Sequence, residues 1–168
     1  MQREAPPSNG APTYSLSRSL VTVSDPKEGP AEAIRALRTH VMAQHIEAGR
    51  RALAVCATAA DAGTTYITSN LAVAMSQIGV KTLLIDGNLR QPGIDAVIRP
   101  SVAVQGLSQC LASEDDDYTG YIENEVLPNL SVMYAGGVPG NPQELLARDR
   151  FETLMNVCLR DFDLTIMD

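Results

Sequence analysis

Lysine is almost absent from this chain, which contains only Lys27 and Lys81 among its 168 residues. No apolar run approaches the roughly 18–20 residues that a bilayer-spanning helix needs, and nothing resembles a signal peptide. The three cysteines are far apart and fit none of the usual metal-ligand spacings. The net charge of −7 and the sequence pI near 4.8 argue against non-specific nucleic-acid binding and a polybasic membrane anchor. We therefore expect a soluble, cytoplasmic protein that binds no nucleic acid.

The length and the 45% hydrophobic content suit one domain. Five of the ten prolines fall in the first 30 residues, between serine, asparagine and glycine. We therefore predict that residues 1–29 form a disordered or weakly structured tail, in which residues 15–24 form at most an edge strand. Residues 30–168 are the predicted domain. We expect this domain to be incomplete at its C-terminus, because the chain stops directly after an apolar strand.

Strand-like and helix-like segments alternate along the domain. Short apolar runs predict buried strands at residues 52–57, 81–85, 130–134 and 164–167. Apolar residues spaced by three or four predict helices at residues 30–48, 65–78, 106–111, 142–147 and 150–159. This order predicts an α/β fold, a mostly parallel sheet with helices on both faces in three layers. Cys56 and Cys158 are then expected to be small core residues.

Residues 58–70 look like a phosphate-binding loop that has lost its lysine. A tight turn from a strand into a helix forms an anion site, because free backbone N–H groups and the helix dipole face the ligand. The usual motif ends Gly-Lys-Ser/Thr, whereas this chain has Gly-Thr-Thr, and Asp61 adds a negative charge where a phosphate would lie. The fold is therefore predicted to be P-loop NTPase-like. The predicted nucleotide-binding residues here are Asp61, Ala62, Gly63, Thr64, Thr65 and Tyr66.

Four further segments carry a resemblance to a known family. Residues 83–92 form an apolar strand followed by Asp-Gly-Asn-Leu-Arg and then a proline, and residues 135–146 read Ala-Gly-Gly-Val-Pro-Gly-Asn-Pro-Gln-Glu-Leu-Leu. Residues 162–168 are a strand ending in aspartate, and residues 32–38 fit Glu-x-x-Arg-x-x-Arg. With the loop, they resemble the bacterial tyrosine autokinases (BY-kinases) of capsule and exopolysaccharide assembly, in order, over residues 22–168.

The resemblance implies roles for several side chains. Asp86, Asn88 and Asp168 would be the catalytic residues, Arg90 would approach the nucleotide, and Thr65, Asp86 and Asp168 would hold Mg²⁺. Asn88 stands where the family has its second aspartate, and an amide can neither accept a proton nor offer a full charge to a metal. The residues alone leave two alternatives open: Asp86 as a turn or N-cap aspartate, and Arg90 in a structural ion pair.

The helix with Glu32, Arg35 and Arg38 has a charged stripe beside its apolar face. The resemblance implies that this stripe packs subunits of a homo-oligomer or a homologous kinase together. The alternative is a solvated face with an i,i+3 ion pair. The five tyrosines do not form the C-terminal cluster that the family phosphorylates.

Three functions fit the resemblance. The first is an active ATP-dependent tyrosine autokinase that controls polysaccharide polymerisation with a membrane adaptor of the polysaccharide co-polymerase type. The second, which we favour, is a regulatory or scaffold subunit recruited to the inner face of the plasma membrane, with weak binding of ATP and Mg²⁺. The third is a partitioning ATPase, which the absence of lysine from residues 56–62 disfavours. Whether the chain is an enzyme is left open.

Overall fold

The computed structural model describes residues 12–59, 62–115 and 117–168. Within these residues, no helix is both long and apolar enough to cross a membrane. The strands are β1 (Tyr14–Leu16), β2 (Ala52–Ala54), β3 (Thr82–Ile85), β4 (Ile98–Pro100), β5 (Glu123–Leu127), β6 (Leu130–Met133) and β7 (Leu164–Met167). The α-helices are α1 (Val21–Ser24), α2 (Gly29–Val41), α3 (Thr64–Ser76), α4 (Ile94–Val97), α5 (Leu107–Ala112), α6 (Pro142–Leu146) and α7 (Asp149–Asp161). A π-helical segment, Met42–Ile46, continues α2, and a 3₁₀ turn spans Thr119–Tyr121.

The main sheet has five strands in the order β2-β7-β3-β6-β5, of which the first four are parallel. Successive side chains of β3 point to opposite faces, as the period of two requires. Leu84 packs in a core with residues of α2 and α3, whereas Leu83 and Ile85 pack in a second core with residues of α5 and α7. This arrangement confirms the predicted α/β fold, with a mostly parallel sheet between two helical layers.

The fifth strand of this sheet, β5, was missing from the sequence prediction. It pairs antiparallel with β6 through a hairpin whose loop is Pro128 and Asn129, and Asn129 has a left-handed φ of 62°. A Pro-Asn pair between apolar residues is a hairpin signal, since asparagine tolerates this conformation well. The polar start of β5 at Glu123 hid the strand from a search for apolar runs.

The N-terminal part of the chain is packed onto the domain from residue 12 onward. β1 pairs antiparallel with β4, the Tyr14 hydroxyl donates to Glu123 Oε2 at 2.6 Å, and Leu20 is fully buried. The predicted edge strand at residues 15–24 is wrong beyond Leu16. There the chain turns, with Ser17 Oγ accepting the N–H of Ser19 at 3.2 Å, and α1 begins at Val21. Of the predicted tail, residues 1–11 lie outside the described residues.

The strand before the phosphate loop is shorter and more exposed than predicted. β2 ends at Ala54, and Ala52, Ala54 and Cys56 are all exposed. Small apolar side chains suggested a buried strand, but β2 is the outermost strand of the sheet and only β7 pairs with it among the described residues. Cys158 is buried in α7, as predicted.

Candidate functional site

The loops that follow β2, β3 and β7 meet at one end of the sheet. Thr65 Oγ1 donates to Asp168 Oδ2 at 2.5 Å, and the N–H of Gly87 donates to the carbonyl oxygen of Asp168 at 3.2 Å. Parallel strands place their carboxyl ends at the same edge, which is where ligands bind in open α/β sheets. The structure thus brings together the phosphate loop, Asp86 and Asp168, as the sequence pattern predicts.

The phosphate loop enters α3 through a left-handed glycine. Gly63 has φ +82° and is the N-cap of this 13-residue helix, and a left-handed residue here is best supplied by glycine. An open cleft of about 970 Å³ lies over the loop. Its lining residues are Val55, Cys56, Ala57, Thr58, Ala59, Ala62, Gly63, Thr64, Thr65, Asn88, Gln91, Pro92 and Asp168.

The charge of this cleft is unusual for a phosphate site. Among its described lining residues, Asp168 is the one charged side chain, and neither lysine nor arginine is present. The predicted contribution of Asp61 lies outside the described residues. Tyr66 is half-buried on α3, and its carbonyl oxygen accepts a bond from Asn70 Nδ2 at 2.9 Å. Tyr66 does not line the cleft, although the loop pattern predicted that it contacts the nucleotide.

Thr65 and Asp168 form the part of the site that fits Mg²⁺. Asp168 Oδ1 is buried and has no hydrogen-bond partner within the described part of the chain, while Oδ2 accepts the Thr65 hydroxyl. A hydroxyl and a carboxylate are oxygen ligands of the kind that Mg²⁺ prefers, directly or through water. An unsatisfied buried carboxylate oxygen is the feature expected at such a site.

Asp86 has different surroundings, because its carboxylate accepts three backbone N–H groups. Its side chain is buried, Oδ1 accepts the N–H of Asn88 at 3.2 Å, and Oδ2 accepts those of Gly93 and Ile94 at 2.9 and 3.0 Å. Burial raises the pKa of this carboxyl, the three N–H groups oppose the rise, and Asp168 adds to it. These contacts are those of the turn aspartate that sequence analysis left as an alternative. Its predicted catalytic and metal-binding roles stay predictions.

The loop held by Asp86 places Asn88 and Arg90 on different surfaces. Asn88 lines the cleft over the phosphate loop. Arg90 is exposed and lines a neighbouring groove with residues 138–144. Within the described residues, Arg90 forms no bond to Asp86, so the suggested ion pair is not formed. Gln91 and Pro92 also line the cleft. Neither was predicted from the sequence, because no periodic pattern sets side-chain directions in a loop.

The charged stripe of α2 makes its contacts within the chain. Arg35 Nη2 bonds Glu32 Oε2 at 2.7 Å, and Arg35 Nη1 donates to the carbonyl oxygen of Pro26 at 2.7 Å. Arg38 Nη1 reaches the carbonyl oxygen of Ala74 at 3.4 Å. The i,i+3 ion pair of the solvated-face alternative is therefore present. The subunit contact stays a prediction.

Comparison with known proteins identifies relatives over most of the chain, although no family model matches it. The putative tyrosine-protein kinase CapB of Staphylococcus aureus is 32% identical over 143 residues, which cover 85% of this chain and 62% of the relative. The tyrosine-protein kinase etk of Escherichia coli (strain K12) is 33% identical over 149 residues, which cover 89% of this chain and 20% of the relative. The solved kinase domain of Escherichia coli tyrosine kinase ETK superposes with a TM-score of 0.77 at 33% identity, covering 89% of this chain and 58% of that one. The chain thus spans less than two thirds of the length of these relatives.

Proposed function

The chain belongs to the family of bacterial tyrosine kinases (BY-kinases), and we propose that it acts in capsule or exopolysaccharide synthesis as a regulatory or scaffold subunit with weakened ATP binding. The observation that carries this proposal is the cleft at the phosphate loop, whose described lining includes no cation. A phosphate site of this kind normally has a lysine directed at the β- and γ-phosphates, and Thr64 occupies that position.

The expected loss of rate from two replaced catalytic groups supports a scaffold rather than an efficient kinase. Phosphoryl transfer depends almost wholly on positioning and charge stabilisation. Removing one preorganised polar group from a catalytic site typically costs about 10²–10³ in rate, or roughly 3–4 kcal/mol. Thr64 and Asn88 replace two such groups. We therefore expect phosphotransfer to be slow even where a nucleotide binds.

The retained pair of Thr65 and Asp168 favours a second candidate, an active tyrosine autokinase. These two residues would hold Mg²⁺, which when bound would neutralise charge on the phosphates of ATP. The backbone N–H groups that begin α3 would orient the phosphates. The described lining of the cleft has no lysine or arginine to balance the remaining phosphate charge, and this counts against the second candidate.

The partners that we propose are a membrane adaptor of the polysaccharide co-polymerase type and a second kinase-like subunit. The proposed location is the cytoplasm, at the inner face of the plasma membrane through that adaptor. The charged stripe of α2 would form the subunit contact, because an arginine fork pairs well with carboxylates across an interface. Light scattering on the wild type and on Arg35→Ala/Arg38→Ala tests this contact, and an unchanged monomer in both would remove it.

Titration with a fluorescent ATP analogue, with and without Mg²⁺, tests the proposed function. We expect weak binding by the wild type and a gain of roughly ten- to a hundredfold in Thr64→Lys, from one restored charge-assisted contact. Thr153→Lys, on the exposed side of α7, adds the same charge outside the cleft and serves as the control. Micromolar binding by the wild type, no gain in Thr64→Lys and rapid tyrosine phosphorylation would instead establish the kinase.

A further inference from the structure

The outer side of β2 is a free edge of the main sheet in the part of the chain that the structure describes. The carbonyl oxygen of Arg51 and the N–H of Val55 both bond to β7, at 2.7 and 3.0 Å. The main-chain groups of the alternate residues, Ala52 and Ala54, therefore face away from β7. The Nε2 of His45 bonds the carbonyl oxygen of Ala52 at 2.7 Å. The N–H of Ala52 and both main-chain groups of Ala54 remain without a partner among the described residues.

The opposite edge of the same sheet, β5, is protected against the addition of another strand. Glu125 has a left-handed φ of 50° at an irregularity in the ladder to β6, and the side chains of Asn124 and Glu125 are exposed. Bulges and charged side chains are the usual means by which free edges avoid pairing with other chains. β2 has neither, because its register with β7 is regular and residues 52–57 carry no charge. An unprotected apolar edge of this kind is a surface to which a further strand can add.

The β2 edges of two identical chains can pair with each other. An antiparallel pair centred on Ala54 is symmetric, and a two-fold contact of this kind closes on itself. The N–H and the carbonyl oxygen of Ala54 would bond reciprocally across the axis, and the small alanine side chains leave room for the approach. In this register, residues 50 and 51 of one copy lie opposite residues 58 and 57 of the other.

The charges on the two sides of this contact are complementary. Residues 57 and 58 line the cleft, whose described lining includes Asp168 but no lysine or arginine. Arg50 is exposed, and its guanidinium forms no ion pair within the described residues. The antiparallel register would therefore bring a cation of one copy to the edge of a phosphate site in the other that has none of its own. A hydrogen bond from arginine to an ionised phosphate is stronger than one between neutral groups.

We propose that two copies of this chain pair through the free edge of β2, and that Arg50 of each copy binds phosphate in the cleft of the other. The role of Arg50 rests on the proposed function, because it takes a nucleotide as the occupant of the cleft, whereas the pairing of the edges does not. Nucleotide binding is then weak in the single chain and stronger in the pair. Self-association thereby regulates the cleft.

Sedimentation equilibrium over a range of chain concentrations tests the pairing. One strand pair is a small contact, so we expect the mass to rise from one chain to two only at high concentration. Ala54→Pro removes the outward N–H and should stay a single chain, and proline is tolerated on a free edge. Ala54→Ser keeps the N–H and should associate like wild type. If Ala54→Pro melts far below wild type, Ala54→Lys decides, because it places like charges opposite each other on the axis. The same variants in the Arg35→Ala/Arg38→Ala background exclude a contribution from the charged stripe of α2.

Cross-linking tests the register of the pair. Residue 52 of one copy lies opposite Cys56 of the other, at a separation that a disulfide can span. Diamide, an azo oxidant, should therefore convert most of Ala52→Cys into a covalent dimer. Ala96→Cys adds a thiol at an exposed position of α4 and is the control, which should not be linked. Equal cross-linking of the two variants would overturn the register.

Titration with a fluorescent ATP analogue in Mg²⁺ tests the contribution of Arg50. We expect the linked dimer of Ala52→Cys to bind about tenfold more tightly than Ala54→Pro, from one charge-assisted contact. Adding Arg50→Ala to the linked dimer should remove this gain. Adding Arg99→Ala, which removes an exposed arginine of β4 outside the cleft, should keep it.

The outcomes separate this proposal from the proposed function. A chain that stays single at every concentration, with no cross-linking of Ala52→Cys, would overturn the pairing and mean that β2 has another occupant. A linked dimer that binds equally well with and without Arg50→Ala would overturn the role of Arg50. The scaffold function would stand in both cases. Rapid tyrosine phosphorylation by a chain that pairs as expected would overturn the scaffold and leave the pairing in place.

Discussion

Asp86 and Asp168 follow neighbouring strands of one sheet, β3 and β7, yet their surroundings are opposite. Asp86 is 1% exposed, and its carboxylate accepts three backbone N–H groups from its own loop. The carboxylate of Asp168 accepts one hydroxyl and keeps a buried oxygen without a partner among the described residues. A carboxylate that accepts several backbone N–H groups holds its loop in place, whereas a buried oxygen without a partner is the kind of group that a ligand can satisfy. The two carboxylates therefore differ in how far the chain itself satisfies them, and replacing each one should have a different effect.

Replacing Asp86 should have the largest effect on stability. Asp86→Ala leaves three N–H groups without their acceptor, and we expect the free energy of unfolding to fall by about 3 kcal/mol or more. Urea denaturation followed by circular dichroism measures this change. Asp95→Ala, an exposed aspartate on α4, is the control and should change the value by less than about 0.5 kcal/mol. Equal effects of the two variants would show that the Asp86 contacts stabilise nothing.

Replacing Asp168 should affect binding instead. Asp168→Asn keeps a hydrogen-bonding partner for Thr65 but removes the charge, so the gain in nucleotide affinity on adding Mg²⁺ should fall by about tenfold or more. The measurement is best made in the Thr64→Lys background, where binding is stronger. Asp163→Asn, at the other end of β7, makes the same change outside the cleft. If Asp168→Asn instead destabilises the fold as much as Asp86→Ala, the two aspartates have the same role.

Asp86 also predicts a dependence of stability on pH, smaller than the effects above. Burial raises the pKa of Asp86 above 3.8. The folded chain then keeps the Asp86 proton at pH values where the unfolded chain has lost it. This contribution to stability is therefore fully present below pH 3.8 and is lost as the pH rises through the raised pKa. The difference in unfolding free energy between wild type and Asp86→Asn should decrease over this window, and a difference that increases with pH would mean that the pKa is lowered.

Gly93 lies between Asp86 and Thr65, the residue that bonds Asp168. Replacing it should have the smallest effect on stability. Its N–H bonds Asp86, and a Cβ at this position would lie 3.0 Å from Thr65 Oγ1. We expect Gly93→Ala to lower stability by about 1 kcal/mol and to disturb the bond between Thr65 and Asp168. Gly29→Ala, where a Cβ meets nothing within 4 Å, is the matched control. Unchanged stability and unchanged Mg²⁺-dependent binding would show that Thr65 moves aside freely.

The sequence predicted those features that a repeating pattern determines. Alternating apolar runs indicated the parallel sheet and its two helical layers, and the strand-to-helix turn located the phosphate loop. Exposure of Ala52 and Ala54 could not be predicted, because strand order in a sheet depends on contacts between distant segments. The hairpin between β5 and β6 is signalled in the sequence by one Pro-Asn pair and not by a periodic pattern.

Within the site, the sequence indicated which residues come together but not what each one contacts. The donors to Asp86 are backbone groups, and backbone groups carry no signature in the residue types. The direction of the Arg90 side chain depends on the path of its loop, and the hydrogen bonds to Asp86 determine that path. For the same reason the sequence left two interpretations of Asp86 open.

The exposed thiol of Cys56 makes this cleft accessible to selective chemical labelling. Cys110 and Cys158 are fully buried, and burial raises the pKa of their thiols to about 11 and about 12. Because the thiolate is the reactive form, a maleimide reagent should modify Cys56 alone in the folded protein. A dye attached to Cys56 would lie at the edge of the cleft. A change in its fluorescence would then indicate that a molecule binds in the cleft, and no residue would have to be substituted.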